Sequence, residues 1–164
     1  MKQLLIVRHA KSSWDFINMD DKDRPLNERG NKDAPIMAKR LLKKKIEIDL
    51  FVSSTAKRAF ATATYFAEVY DVKGKHIVEE EKLYDASTGA FYRVVSHLPD
   101  DVKSVALFSH NPGISDFANS LTTTQIDDMP TCGIFAVKAD IKTWNEFEKA
   151  DKEFWFFDYP KAEK

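Results

Sequence analysis

Near the start of the chain stands Leu4-Leu5-Ile6-Val7-Arg8-His9, four apolar residues running straight into an arginine and a histidine. The arrangement recurs at Val105-Ala106-Leu107-Phe108-Ser109-His110, followed by Asn111, Pro112 and Gly113. A short apolar run bounded by polar and turn residues reads as a strand covered on both faces, as in a parallel sheet between helical layers. Two interior strands therefore each deliver a histidine at the C-terminal end. A third run, Leu50-Phe51-Val52, ends at Ser53-Ser54, and a helical pattern with Arg58 in its first turn follows. In open α/β sheets the ligand crevice lies outside the carboxyl ends of the strands. The three strand ends predict one pocket holding two histidines and two arginines, with a helix N-terminus near Thr55 beside it. Such a pocket suits a phosphoryl group.

Outward from these runs the chain alternates. Residues 3–7 predict the first strand, and residues 10–25 a long polar loop carrying Asp15, Asp20, Asp21 and Asp23. Asn27 is placed to cap a helix to about Lys44, with Ala34, Met37, Ala38 and Leu41 as its apolar stripe. Pro35 predicts either a kink in that helix or a start only just before it. Residues 49–53 are the next strand and 55–70 the next helix. Residues 75–79 read as a short strand, and Ser87 as the cap of a helix to about His97. Strand 103–109 follows, then a helix from Pro112 to about Leu121. Residues 133–138 and 153–157 close the chain as strands, with a helical turn at Trp144 and Phe147 between them. Strands alternating with helices predict a three-layer α/β fold, a mostly parallel sheet with helices on both faces. The last two strands lack a crossover helix, so one strand near the C-terminus is expected to be antiparallel.

Length and composition narrow the class. A chain of 164 residues, 43% hydrophobic and 31% charged, predicts a single globular domain over 1–164. Net charge is −1, and the basic triplet Lys43-Lys44-Lys45 ends an amphipathic helix, so no nucleic-acid partner is expected. Cys132 is alone, which leaves no disulfide framework and no cysteine zinc site. The first apolar run is too short for a signal peptide or a membrane span, so a cytoplasmic location with no membrane partner is expected. Asp20, Asp21 and Asp23 lack the glycine and closing glutamate of a calcium loop, so neither metal nor any other cofactor is expected.

The pocket residues have complementary chemistries. Arginine forks grip phosphate oxygens through paired N–H donors. A neutral histidine can attack phosphorus and form a phosphoramidate that water later breaks. A second histidine can donate a hydrogen bond as charge builds on an equatorial oxygen.

Arg8-His9-Ala10, Ser53-Ser54-Thr55-Ala56-Lys57-Arg58-Ala59 and Ser109-His110-Asn111-Pro112-Gly113 resemble the motifs of the histidine phosphatase superfamily. Ala10 replaces the family glycine after the first histidine, and the proline of its Ser-Pro-x-x-Arg-Ala stretch is absent. The small SixA-type phosphohistidine phosphatases are the nearer resemblance. It extends over Lys11-Ser12-Ser13-Trp14, Asp23-Arg24-Pro25-Leu26-Asn27, Leu83-Tyr84 and Pro130-Thr131-Cys132-Gly133, nearly the whole chain. The resemblance implies His9 as the phosphorylated nucleophile, with Arg8, Arg58, His110 and Asn111 binding phosphate. The glutamate that serves as general acid in many members has no clear counterpart, so Asp85 and then Glu81 are the candidates. The implied partner is a phosphorylated protein, above all phosphohistidine on a protein, or a small phosphate ester. Two other readings stand beside it: a general phosphomonoesterase, and a non-catalytic module that docks phosphoproteins. Trp14 either walls the pocket or only anchors its loop.

Overall fold

The computed structural model describes residues 1–16 and 18–162. Its strands are β1 (Lys2–Arg8), β2 (Leu50–Ser53), β3 (Val78–Glu79), β4 (Ser104–Ser109), β5 (Ile134–Ala139) and β6 (Lys152–Asp158). The helices are α1 (Glu28–Lys43), α2 (Lys57–Val69), α3 (Thr88–Ser96) and α4 (Gly113–Leu121). The strands form one sheet in the order β3-β2-β4-β1-β5-β6. β1 pairs in parallel with β4, β4 with β2, and β2 with β3. β5 runs antiparallel to both β1 and β6, so it is the one reversed strand near the C-terminus that the missing crossover predicts.

Successive strand residues point to opposite faces, and the two cores divide accordingly. Leu5, Val7, Phe51, Ala106, Phe108 and Ile134 face α1 and α2, where Ala34, Met37, Ala38, Leu41, Ala63 and Phe66 close the layer. Leu4, Ile6, Val52, Val105, Leu107 and Phe135 face the other way, onto Phe91, Val95, Ile114 and Phe117 of α3 and α4. The uninterrupted apolar runs of β1 and β4 follow from this, because both faces are covered.

Several boundaries differ from expectation. α1 starts at Glu28, where the Asn27 side chain accepts a hydrogen bond from the Gly30 N–H at 2.9 Å, and it continues through Pro35. Pro35 is only half-buried. The Asn31 carbonyl, left without its intrahelical donor, is on the side open to water, while the buried stripe holds the helix to the sheet. α2 starts at Lys57, two residues late, because Thr55 spends its hydroxyl on Glu81 and Ala56 is extended. The strand expected over 75–79 shrinks to Val78–Glu79, and Gly74–His76 forms a 3-10 turn instead. Both residues of β3 are exposed, so no second layer rewards a longer strand.

The polar loop after β1 is pinned to the body. Ser12 bridges to Leu26, and Asp21–Asp23 form a 3-10 turn. A Cβ on Gly30 would sit 2.1 Å from the Lys11 carbonyl oxygen, so only glycine lets α1 approach the chain leaving β1 this closely.

Candidate active site

The C-terminal ends of β1, β2 and β4 meet at one sheet edge. There His9 N–H bonds to Ser109 O at 3.1 Å and Ser54 N–H to Phe108 O at 2.9 Å. Beside them lies a cavity of about 440 Å³ whose wall includes Arg8, His9, Arg58 and His110. Asn111, Asp85 and Trp14 also line it. Glu81 and Thr55 do not. They stand outside, bonded to each other, with Glu81 also paired to Lys22. The first turn of α2 therefore reaches the wall through Arg58 and not through Thr55.

His9 is buried, and its Nδ1–H donates to the Ala10 carbonyl at 2.7 Å. That bond fixes the tautomer and leaves Nε2 unprotonated, its lone pair accepting a long hydrogen bond of 3.4 Å from Arg58 Nε–H. The His110 ring lies 5.1 Å from the His9 ring. Its Nε2 is 2.7 Å from Ser54 Oγ, while Nδ1 is buried without a hydrogen-bond partner among the described residues. Arg8 Nε is likewise buried and unpartnered there, while its Nη1 donates to Met129 O at 2.8 Å.

Burial depresses the pKa of both rings from 6.5 to about 3, and the nearby arginines add to the shift. Burial also lowers the Arg8 pKa, against the pull of Asp128. Both histidines are thus neutral at pH 7; a nucleophile requires this of His9, and a neutral His110 still has one ring N–H to donate. An unfolded histidine takes up a proton near pH 6.5 and these folded ones near 3. Their contribution to stability is complete above about 6.5 and is lost as pH falls toward 3. The thermal midpoint should therefore decline between about pH 6.5 and 5, and a His9→Asn, His110→Asn double variant should show a shallower decline in parallel melts.

Sequence reasoning passed over Asp21, which stands at the centre of the site. Its carboxylate accepts from Arg58 Nη2 at 2.9 Å, Tyr84 OH at 2.7 Å and Arg24 Nη1 at 2.8 Å, and its carbonyl accepts from Arg58 Nη1 at 2.6 Å. Burial opposes its charge, but those hydrogen bonds outweigh burial and hold the carboxyl below the usual range. Arg24 in turn donates to Ser13 O and lies against the Trp14 ring, 3.4 Å from its centre. Trp14 therefore both walls the cavity and anchors its loop. Thr62, four residues after Arg58 and so on the same helix face, accepts from Ala10 N–H at 3.0 Å and braces the chain just past His9. The i,i+4 spacing was the available signal. Asn111 is tied inward: its amide donates to Asp128 and to Met129 O, and its oxygen accepts from Ser115. That leaves its side chain holding the 128–129 segment under Arg8. His76 and His97 are exposed and lie away from the cavity.

Neutral imidazoles set among arginines at the carboxyl edge of a mixed sheet define a phosphatase of the α/β class. A family model for the histidine phosphatase superfamily (branch 1) matches residues 4–96, and the chain belongs to that superfamily. Phosphoserine phosphatase 1 of Hydrogenobacter thermophilus is 28% identical over 63% of this chain, which spans 50% of that relative. The SixA structure from Agrobacterium tumefaciens is similar in fold, with TM-score 0.81 and 24% identity over 97% of this chain and 98% of the other. The protein histidine phosphatase SixA complexed with tungstate is similar at TM-score 0.83 and 24% identity, over 99% of both chains.

Proposed function

We propose that the protein hydrolyses phosphohistidine on a protein, working through a phosphohistidine of its own at His9. The observation that carries this reading is the tautomer of His9. With Nδ1–H given to the Ala10 carbonyl, the unprotonated nitrogen of this cavity-lining ring is Nε2, held only by a long hydrogen bond from Arg58 Nε that an incoming phosphoryl group can displace. In the proposed cycle Arg8 and Arg58 clamp the incoming phosphoryl oxygens. His9 Nε2 forms a bond to phosphorus as the bond from phosphorus to the substrate nitrogen breaks. The free ring nitrogen of the substrate phosphohistidine is already protonated from water, so the group departs as neutral imidazole. A second water then attacks the phosphoryl group on His9, releasing inorganic phosphate and restoring the neutral ring.

A histidyl substrate is favoured over a small ester because two of the carboxylates near the site are poorly set to act as acids and the third, Asp85, is exposed at the cavity wall. Asp21 is held ionised by its donors, and Glu81 lies outside the cavity and is held ionised by Lys22 and Thr55. Two arginines and a third nearby, Arg24, supply the positive charge that divalent ions bring to many phosphoryl-transfer sites. Among the described residues, no three of His, Cys, Asp or Glu cluster as metal ligands, and no helix is long and apolar enough to cross a membrane.

Turnover of an aryl phosphate in excess chelator is the first test. Steady phosphate release, undiminished by the chelator, is expected. Tight phosphate binding with no turnover would favour the phosphoprotein-docking module. Loss of activity restored by one divalent ion would overturn the arginine-only account.

A further inference from the structure

On the phosphoryl-transfer reading just given, we infer that Ser54 is a positioning residue for His110, donating its hydroxyl proton to Nε2 and so placing the ring hydrogen on Nδ1. Ser54 directly follows Ser53, the last residue of β2, and is fully buried. Its Oγ lies 2.7 Å from His110 Nε2 and accepts the Ala56 N–H at 3.3 Å. The direction of the first bond follows from the hydroxyl hydrogen. Among the described residues, the hydrogen bonds of Ser54 Oγ offer that hydrogen one acceptor, His110 Nε2. If the ring donated instead, Oγ would accept twice and its hydrogen would be buried with nowhere to go. The ring therefore accepts at Nε2, and a neutral imidazole has a single hydrogen, which must then be on Nδ1.

Nδ1 is the atom left for the substrate. It is buried, unpartnered among the described residues, and belongs to a ring in the cavity wall against which Tyr84 packs edge-on at 5.5 Å. In this tautomer it offers a hydrogen to a phosphoryl oxygen. In the other it would offer a lone pair and repel it. The two histidines are thus held in opposite tautomers by two different neighbours. The Ala10 carbonyl keeps the hydrogen of His9 on the nitrogen away from phosphorus, so that Nε2 can attack. Ser54 keeps the hydrogen of His110 on Nδ1, the nitrogen with no partner among the described residues. Burial supports the neutral form of both rings.

The test is the ring-nitrogen spectrum of His110 in the full, nitrogen-15-labelled chain near neutral pH. The wild-type protein should show a protonated Nδ1 and an unprotonated Nε2. In Ser54→Ala the other tautomer should gain population. On an aryl phosphate kcat should fall by about 10- to 100-fold while KM changes by less than about threefold. Ser54→Thr, which keeps the hydroxyl, should restore both the tautomer and most of kcat. A wild-type His110 protonated at Nε2 would overturn the inference even if Ser54→Ala fails to fold. So would a folded Ser54→Ala with unchanged tautomer and unchanged kcat. The tautomer is read without substrate, so a failure of the phosphatase reading shows instead as absent wild-type turnover.

Discussion

His9→Ala should abolish turnover, by at least about four orders of magnitude, while phosphate or vanadate still binds within about tenfold of the wild-type affinity. The asymmetry comes from the division of labour in the cavity. Binding draws on the arginines. Arg8 Nε has no partner among the described residues, and the Arg58 Nε that now donates to His9 becomes free when the ring is removed. Bond formation to phosphorus draws on one lone pair, at His9 Nε2, which no neighbouring group can replace. The other ring in reach, His110, is held at Nε2 by Ser54. Arg58→Ala should behave differently and damage binding and rate together, because it removes a charge-assisted clamp and also leaves Asp21 with one arginine partner, Arg24, in place of two. Rapid-quench experiments give a second readout. An acid-labile phosphoenzyme should accumulate in the wild type and be missing in His9→Ala. Substantial residual turnover in a clean His9→Ala preparation would refute a histidine nucleophile.

The parts of this site that were legible in the sequence are those written in local patterns. Buried strands covered on both faces leave unbroken apolar runs, so β1 and β4 announce themselves, and the histidines follow at fixed offsets from their ends. Arg58 was legible because it opens a helix that must follow β2. Asp21 was not, because its partners come from three separate segments: Arg24 three residues on, Arg58 from α2 and Tyr84 from the turn before α3. In the sequence it is one aspartate among several in a polar loop, and only the folding of that loop over the cavity distinguishes it. Glu81 failed for the converse reason. Nearness in sequence to Leu83 and Tyr84 says nothing about side-chain direction, and Lys22 draws it outward. Ser54 was read as part of a motif, but its bond to His110 spans 56 residues and depends on the parallel pairing of β2 with β4.

The second large effect should appear in the choice of leaving group. Phosphohistidine and aryl phosphates should be hydrolysed about 10²- to 10⁴-fold faster than alkyl phosphates, the range a positioned proton donor usually supplies. An alkyl phosphate departs as a strongly basic alkoxide and needs that donor in the transition state. An imidazole departs as a weak base when the free ring nitrogen of phosphohistidine is first protonated, and with imidazole titrating near pH ~6.5 water can supply that proton without a positioned acid. Three carboxylates lie near enough to be considered. Asp21 and Glu81 are held in the ionised form by their donors, which makes each a poor acid. Asp85 remains: it lines the cavity, is exposed, and sits in the left-handed backbone region at φ 54°, which an aspartate tolerates better than most residues. If Asp85 assists only marginally, Asp85→Asn should leave phosphohistidine hydrolysis within about threefold of wild type while the slow alkyl-phosphate rate drops further. Rates across phosphomonoesters of graded leaving-group pKa should fall steeply as the leaving group becomes more basic. A flat dependence, with fast alkyl-phosphate hydrolysis that collapses in Asp85→Asn, would show a working general acid in this cavity. The preference for a phosphorylated histidine would then lose its physical basis, and a small phosphomonoester would become the better substrate.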